Sequence, residues 1–131
     1  MRQIPKLSLS AVATSLGFAV AASISHASDS PPDVEVLRKI EASLKMPSGT
    51  KPLVSYDRYY AYAVRRGRKV LVGVFLHSLA LPGIAETTPG LHILEKESDL
   101  PVVHDGGCSV VTVVLDPHTS QEADISCNGT A

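Results

Sequence analysis

His104-Asp105, followed by Gly106-Gly107 and then Ser109, puts a base, an acid, two permissive backbone positions and a hydroxyl within six residues. Those are the side chains of nucleophilic hydrolysis, in which an acid orients a base and the base activates the hydroxyl. The spacing works against that chemistry. Neighbouring residues on an extended segment point to opposite sides, and no G-x-S-x-G elbow is present. Asp105 is more simply read as a turn former that bonds nearby backbone. A small hydrolase-like enzyme, with a pocket between helix and sheet near His104 and Asp105, is the alternative.

The other histidines beyond the first thirty residues, His77, His92 and His118, fall in separate segments without the i, i+4 spacing of a helical zinc site. No phosphate-cradling glycine signature occurs, so neither a metal nor a cofactor is implied. Cys108 and Cys127 are the only cysteines. If the segments carrying them form a hairpin turning near Pro117-His118, they face each other, and an oxidising compartment joins them. A catalytic thiol fits less well, because the second thiol would oxidise it and the spacing is not C-x-x-C.

Two groups of residues are suited to binding. Tyr56, Tyr59, Tyr60 and Tyr62 are rigid rings with polar tips, so a sheet face displaying Tyr56 and Tyr60 would form a contact surface. The competing reading is that they fill the core and pair across strands. Arg65, Arg66 and Arg68 surround Gly67. Between Ser28 and Lys69 there are nine basic and five acidic residues, whereas from Val70 onward there are eight acidic residues and one lysine. The total of −1 therefore hides a dipolar chain whose basic pole can steer an anionic partner. A solvated tip that discourages edge-to-edge pairing is the plainer reading of the same charges. No nucleic-acid module accompanies them.

The elements that would position these residues follow from the pattern. Arg2 and Lys6, an apolar stretch from Leu7 to Ile24, and Ser25-His26-Ala27 match a secretory signal peptide, residues 1–27, cleaved after Ala27. Serines, a threonine and a glycine dilute the apolar stretch below what a permanent span needs. Residues 28–131 are then one exported domain, periplasmic or extracellular, with no membrane span. A hydrophobic content of 44% and a charged content of 19% fit a folded chain rather than a disordered one. Asn128-Gly129-Thr130 matches the N-glycosylation pattern, which matters only in a eukaryotic host.

Ser30-Pro31-Pro32-Asp33 predicts a helix start with Ser30 as cap, and Val36, Leu37, Ile40 and Leu44 form an apolar stripe up to about Met46. Leu53 to His77 predicts a long hairpin turning at Arg65-Arg66-Gly67-Arg68. Tyr60, Tyr62 and Val64 share one face of it, and Tyr59, Ala61 and Ala63 the other. Its second strand is apolar on both faces and is expected to lie inside the sheet, with Gly73 marking a close approach or a bulge. Residues 78–90 form a connector that folds over the sheet or carries a helical turn. Strands follow at Leu91–Glu95, Cys108–Leu115 and Glu122–Cys127. One helix followed by a run of strands indicates α+β, with the helix packed on a curved antiparallel sheet of four or five strands. This layout is similar to cystatin-like and nuclear-transport-factor-like folds. The cystatin signature Q-x-V-x-G is replaced by Ala63-Val64-Arg65-Arg66-Gly67, so the resemblance is one of layout. The expectation is a non-enzymatic binding or inhibitor-like module, holding a protein or an anionic envelope component.

Overall fold

The computed structural model describes residues 30–77, 89–119 and 122–129, with backbone alone at 122 and 123. The expected leader, and the connector from 78 to 88, lie outside the described residues. Helix α1 runs Val34–Ser43 and packs on a sheet of five strands: β1 (Asp57–Arg65), β2 (Arg68–Leu76), β3 (Leu91–Ile93), β4 (Gly107–Leu115) and β5 (Glu122–Asn128). The spatial order is β3-β1-β2-β4-β5.

Asp33, not Ser30, caps the helix: its carboxylate accepts from the N–H groups of Glu35 at 2.8 Å and Val36 at 3.3 Å. The start moves because Ser30 and Pro31 each precede a proline, which pushes their backbone away from the helical region. The helix also stops before Met46. Ser43 Oγ donates to the Ile40 carbonyl at 2.9 Å, while Leu44 N–H turns back to the Glu41 carbonyl at 3.3 Å. The buried stripe narrows to Leu37 and Ile40, and Val36 is exposed. Fully burying each of these two side chains contributes roughly 1.5–3 kcal/mol.

The hairpin forms about the predicted turn, but it is shorter than Leu53 to His77: Leu53–Ser55 is a 3-10 turn following Pro52, and the paired strands run from Asp57 to Leu76. Arg65 pairs with Arg68, and the loop is Arg66-Gly67, with φ of 51° and 74°. Two successive positive φ values define the tight turn whose twist matches the strands it joins. The two faces of β1 separate as expected. Tyr60 and Tyr62 join the helix-side core with Leu37, Ile40, Phe75 and Val113. Tyr59, Ala61 and Ala63 join Val72, Val74 and Leu76 on the opposite face, where Leu94, Leu100 and Val103 pack over them. Strand β2 lies at the centre, buried from Leu71 to Leu76. Gly73 marks a close approach: a Cβ there would stand 2.6 Å from Val113 Cγ1 and 2.8 Å from Tyr60 Cε1.

The sheet is mixed, not wholly antiparallel. Strand β3 pairs with β1 in parallel, matching Arg58 with Leu91 and Tyr60 with Ile93. It is shorter than the expected Leu91–Glu95, because the chain leaves β1 after Leu94 N–H donates to the Tyr60 carbonyl at 2.9 Å. Strands β4 and β5 form the closing hairpin, and Cys108 and Cys127 are joined, with Cα atoms 4.5 Å apart. The ladder sets Cys127 against Val111; a bulge between Gly107 and Val111 brings Cys108 alongside. Asp116 organises the turn by accepting from the N–H groups of His118 and Thr119. These bonds, that to His118 first, hold its carboxyl below the usual range. The disulfide fits an oxidising compartment. Among the described residues no helix is long and apolar enough to cross a membrane.

Candidate functional site

The far end of the hairpin carries the basic cluster. Arg65 is tied down: its guanidinium grips both carboxylate oxygens of Glu97, one of them at 2.9 Å. That hydrogen bonding holds Glu97 below, and Arg65 above, their ordinary ranges. Arg66 and Arg68 are exposed, and among the described residues neither has a carboxylate within ion-pair distance, although Arg68 is near enough to Asp116 to help lower its carboxyl. Lys69 places its ammonium 4.0 Å from the centre of the Tyr62 ring, a cation–π contact.

Beside this cluster is a groove of about 800 Å³. It is lined by Tyr62–Val64, Gly67 and Lys69 of the hairpin, by Glu95, Lys96 and Glu97 after β3, and by Ser30 and Pro31 ahead of α1. The groove exists because β3 stops at Ile93 while β1 continues to Arg65. It combines an aromatic ring, the exposed Val64 side chain, two lysines and two glutamates, one of which, Glu97, is held by Arg65. Such a lining can take an elongated ligand with both apolar and charged parts.

The tyrosine surface is corrected. Tyr56 and Tyr60 are both 0% exposed and lie in the helix-side core. Their hydroxyls are satisfied internally. Tyr56 donates to the Cys108 carbonyl at 2.7 Å and accepts from Lys51 N–H at 3.0 Å. Tyr60 donates to Glu41 at 3.2 Å, and the same carboxylate receives Arg58 Nε at 2.7 Å. Arg58 also donates to the Tyr56 carbonyl at 2.9 Å. This triad fastens α1 to β1. Burial, then the charge and hydrogen bond of Glu41, raise the Tyr60 phenol well above its ordinary value. The physical cause of the inward placement is the strand period: the face carrying Tyr60 and Tyr62 is the one the helix covers.

On the opposite face of β1 lies a pair that sequence reasoning missed. Asp57 is buried, and its Oδ1 accepts from Gly90 N–H at 3.0 Å and from His92 Nε2 at 3.1 Å. The His92 ring stacks on Tyr59, with centroids 4.5 Å apart. Burial, then the Asp57 charge, raise the Tyr59 phenol. A carboxylate behind a ring N–H fixes the tautomer and leaves Nδ1 as the acceptor. The pair is therefore built like the acid–base half of a triad. It is equally the clamp that holds the short β3 against β1. The two residues are 35 positions apart, and only parallel pairing brings them together, so no local pattern marks them.

His104 and Asp105 lie on an exposed bend. Asp105 has a φ of 58°, as a turn former would, and among the described residues no hydrogen bond joins it to His104. No group of three or more metal-ligating side chains occurs among the described residues. The Asn128 side-chain amide donates to the Val103 carbonyl, so the nitrogen a glycan would occupy is already engaged. Comparisons with protein-family models, curated proteins and solved structures give no match.

Proposed function

We propose that the chain is an exported binding module that holds an anionic partner at the end of its long hairpin, through Arg66 and Arg68, with Arg65 fixed beside them. The supporting observation is that two guanidinium groups with no carboxylate at ion-pair distance among the described residues, Arg66 within the tight turn and Arg68 just after it, stand beside an open groove. A turn of defined geometry on a central hairpin is a rigid platform, so little conformational freedom is lost when it is engaged. Steering by the basic pole raises the association rate at low salt.

The test is capture from an envelope extract on the immobilised, oxidised protein, comparing the native sequence with Arg66→Glu/Arg68→Glu. Salt-sensitive capture that disappears in the double variant is expected. An unchanged set of captured components removes the basic-tip reading.

A further inference from the structure

The hairpin end offers more than charge, because the backbone of β1 is left open there. In this hairpin the odd-numbered residues of β1 bond to β2, since Arg65 and Arg68 flank a two-residue loop. The even-numbered residues direct their N–H and C=O groups to the other edge. Arg58 N–H accordingly donates to the Gly90 carbonyl at 2.8 Å, and the Tyr60 carbonyl accepts from Leu94 N–H. Pairing with β3 ends at Tyr60. The next groups along that edge are the N–H and C=O of Tyr62 and those of Val64. The Val64 carbonyl is met by Arg65's own guanidinium at 3.2 Å. Among the described residues, nothing meets the Tyr62 N–H, the Tyr62 C=O or the Val64 N–H. Tyr62 and Val64, which carry these groups, line the groove together with Glu95–Glu97.

We propose that this open edge of β1 is a strand-addition site for an extended acidic peptide, which pairs its main chain with Tyr62–Val64 and directs its carboxylates to Lys69, Lys96 and the arginine tip. An unpaired ladder is a template for another strand, with main-chain bonds supplying affinity and side-chain contacts supplying specificity. The charge pattern selects the partner. Arg65, Arg66, Arg68, Lys69 and Lys96 gather here against Glu95, Glu97 and Asp116, and Glu97 is already bound to Arg65. A basic segment or a second copy of the same edge meets like charge. The gap spans three residues, about 10 Å of strand, so the match is to a short segment.

This inference rests on the basic-tip reading for its charge preference, but its mode of binding is tested separately. The probe is a capped, fluorescent octapeptide alternating valine and glutamate, followed by anisotropy on the oxidised protein at low salt. Two N-methylated versions carry the methyl groups on every valine amide or on every glutamate amide. In a paired strand the amides of one parity face β1 and those of the other face solvent. One methylated peptide should therefore lose about tenfold or more in affinity, as expected for one or two main-chain bonds, while the other stays close to the parent. A valine–lysine octapeptide should bind far more weakly. The inference is overturned if the parent does not bind, if the two methylated peptides bind alike, or if the lysine peptide binds as tightly. Loss of envelope capture in the double variant together with indistinguishable methylated peptides leaves the basic tip standing and removes strand addition. Unchanged capture with a clear difference between the methylated peptides does the reverse.

Discussion

Tyr60 shows how one side chain couples packing to ionisation. Its ring fills the core beside Phe75, with centroids 5.6 Å apart, and its hydroxyl donates to a carboxylate already held by Arg58. Both surroundings disfavour a phenolate. In the unfolded chain Tyr60 ionises near pH 10, whereas in the folded chain it ionises at higher pH. The unfolded state therefore binds fewer protons above pH 10, and stability falls as pH rises, by about 1.4 kcal/mol per pH unit from this group. Tyr60→Phe should flatten that part of the alkaline decline in urea denaturation, while near neutrality it should cost only about 1 kcal/mol for the lost hydrogen bond. An equal alkaline slope in both proteins would contradict this reading of Tyr60. Asp57 is the second residue with an outsized role. Asp57→Ala leaves the Gly90 N–H and the His92 ring without their carboxylate, at a cost of about 1–3 kcal/mol. Because the clamp is local, the amides of His92 and Leu94, which face β1, should lose hydrogen-exchange protection before those of β2 and β4 do.

At the level of elements, the hairpin is the best-specified part of the molecule, and its turn leaves room for improvement. Arg66 takes a φ of 51°, a region that disfavours side chains lacking a short local hydrogen-bonding group. Asparagine is preferred there, ahead of Gly67, so Arg66→Asn should raise stability by about 0.5–1 kcal/mol in chemical denaturation. The same change should weaken anion capture, since it removes a charge; a variant that is both more stable and a weaker binder would separate the turn's two roles. The hairpin was legible in the sequence because alternation, a two-residue turn and paired apolar runs are all local signals. The faces of β1 and the central place of β2 followed from them. Strand β3 was legible as a strand but not as a parallel one. Three residues carry too little pattern to choose a partner, and the choice depends on a connection whose path no local signal specifies. The Asp57–His92 pair and the open edge at Tyr62–Val64 both follow from that pairing, so both were hidden with it. The helix limits were misplaced for a smaller reason: Ser30 resembles a cap, but two consecutive prolines delay the first helical residue to Val34.

For the whole molecule, the disulfide links the closing strand to the rest of the sheet. Among the described residues strand β5 is an edge, paired with β4 alone, and its last residues meet β4 across an irregular stretch between Gly107 and Val111. Regular ladder bonds are interrupted there, so the covalent link does what the ladder does elsewhere. It also sits beside the joint between helix and sheet: Tyr56 reaches the Cys108 carbonyl, and Gly49, in the segment after α1, lies close enough that an added Cβ would stand 3.5 Å from Cys108 Sγ. Closing a loop with a sequence separation of 19 removes unfolded-state freedom worth on the order of 3 kcal/mol. Cys108→Ser/Cys127→Ser should therefore lower the urea midpoint by that amount of stability. The loss should be uneven, with amides of β5 exchanging first and those of the β1–β2 hairpin keeping their relative protection, because the hairpin's own ladder and core do not pass through the link. The binding end lies at the opposite end of β1 from Tyr56. Peptide affinity should thus survive the double serine change wherever the protein remains folded, and a variant that is folded yet no longer binds would show that the tail and the hairpin tip are coupled.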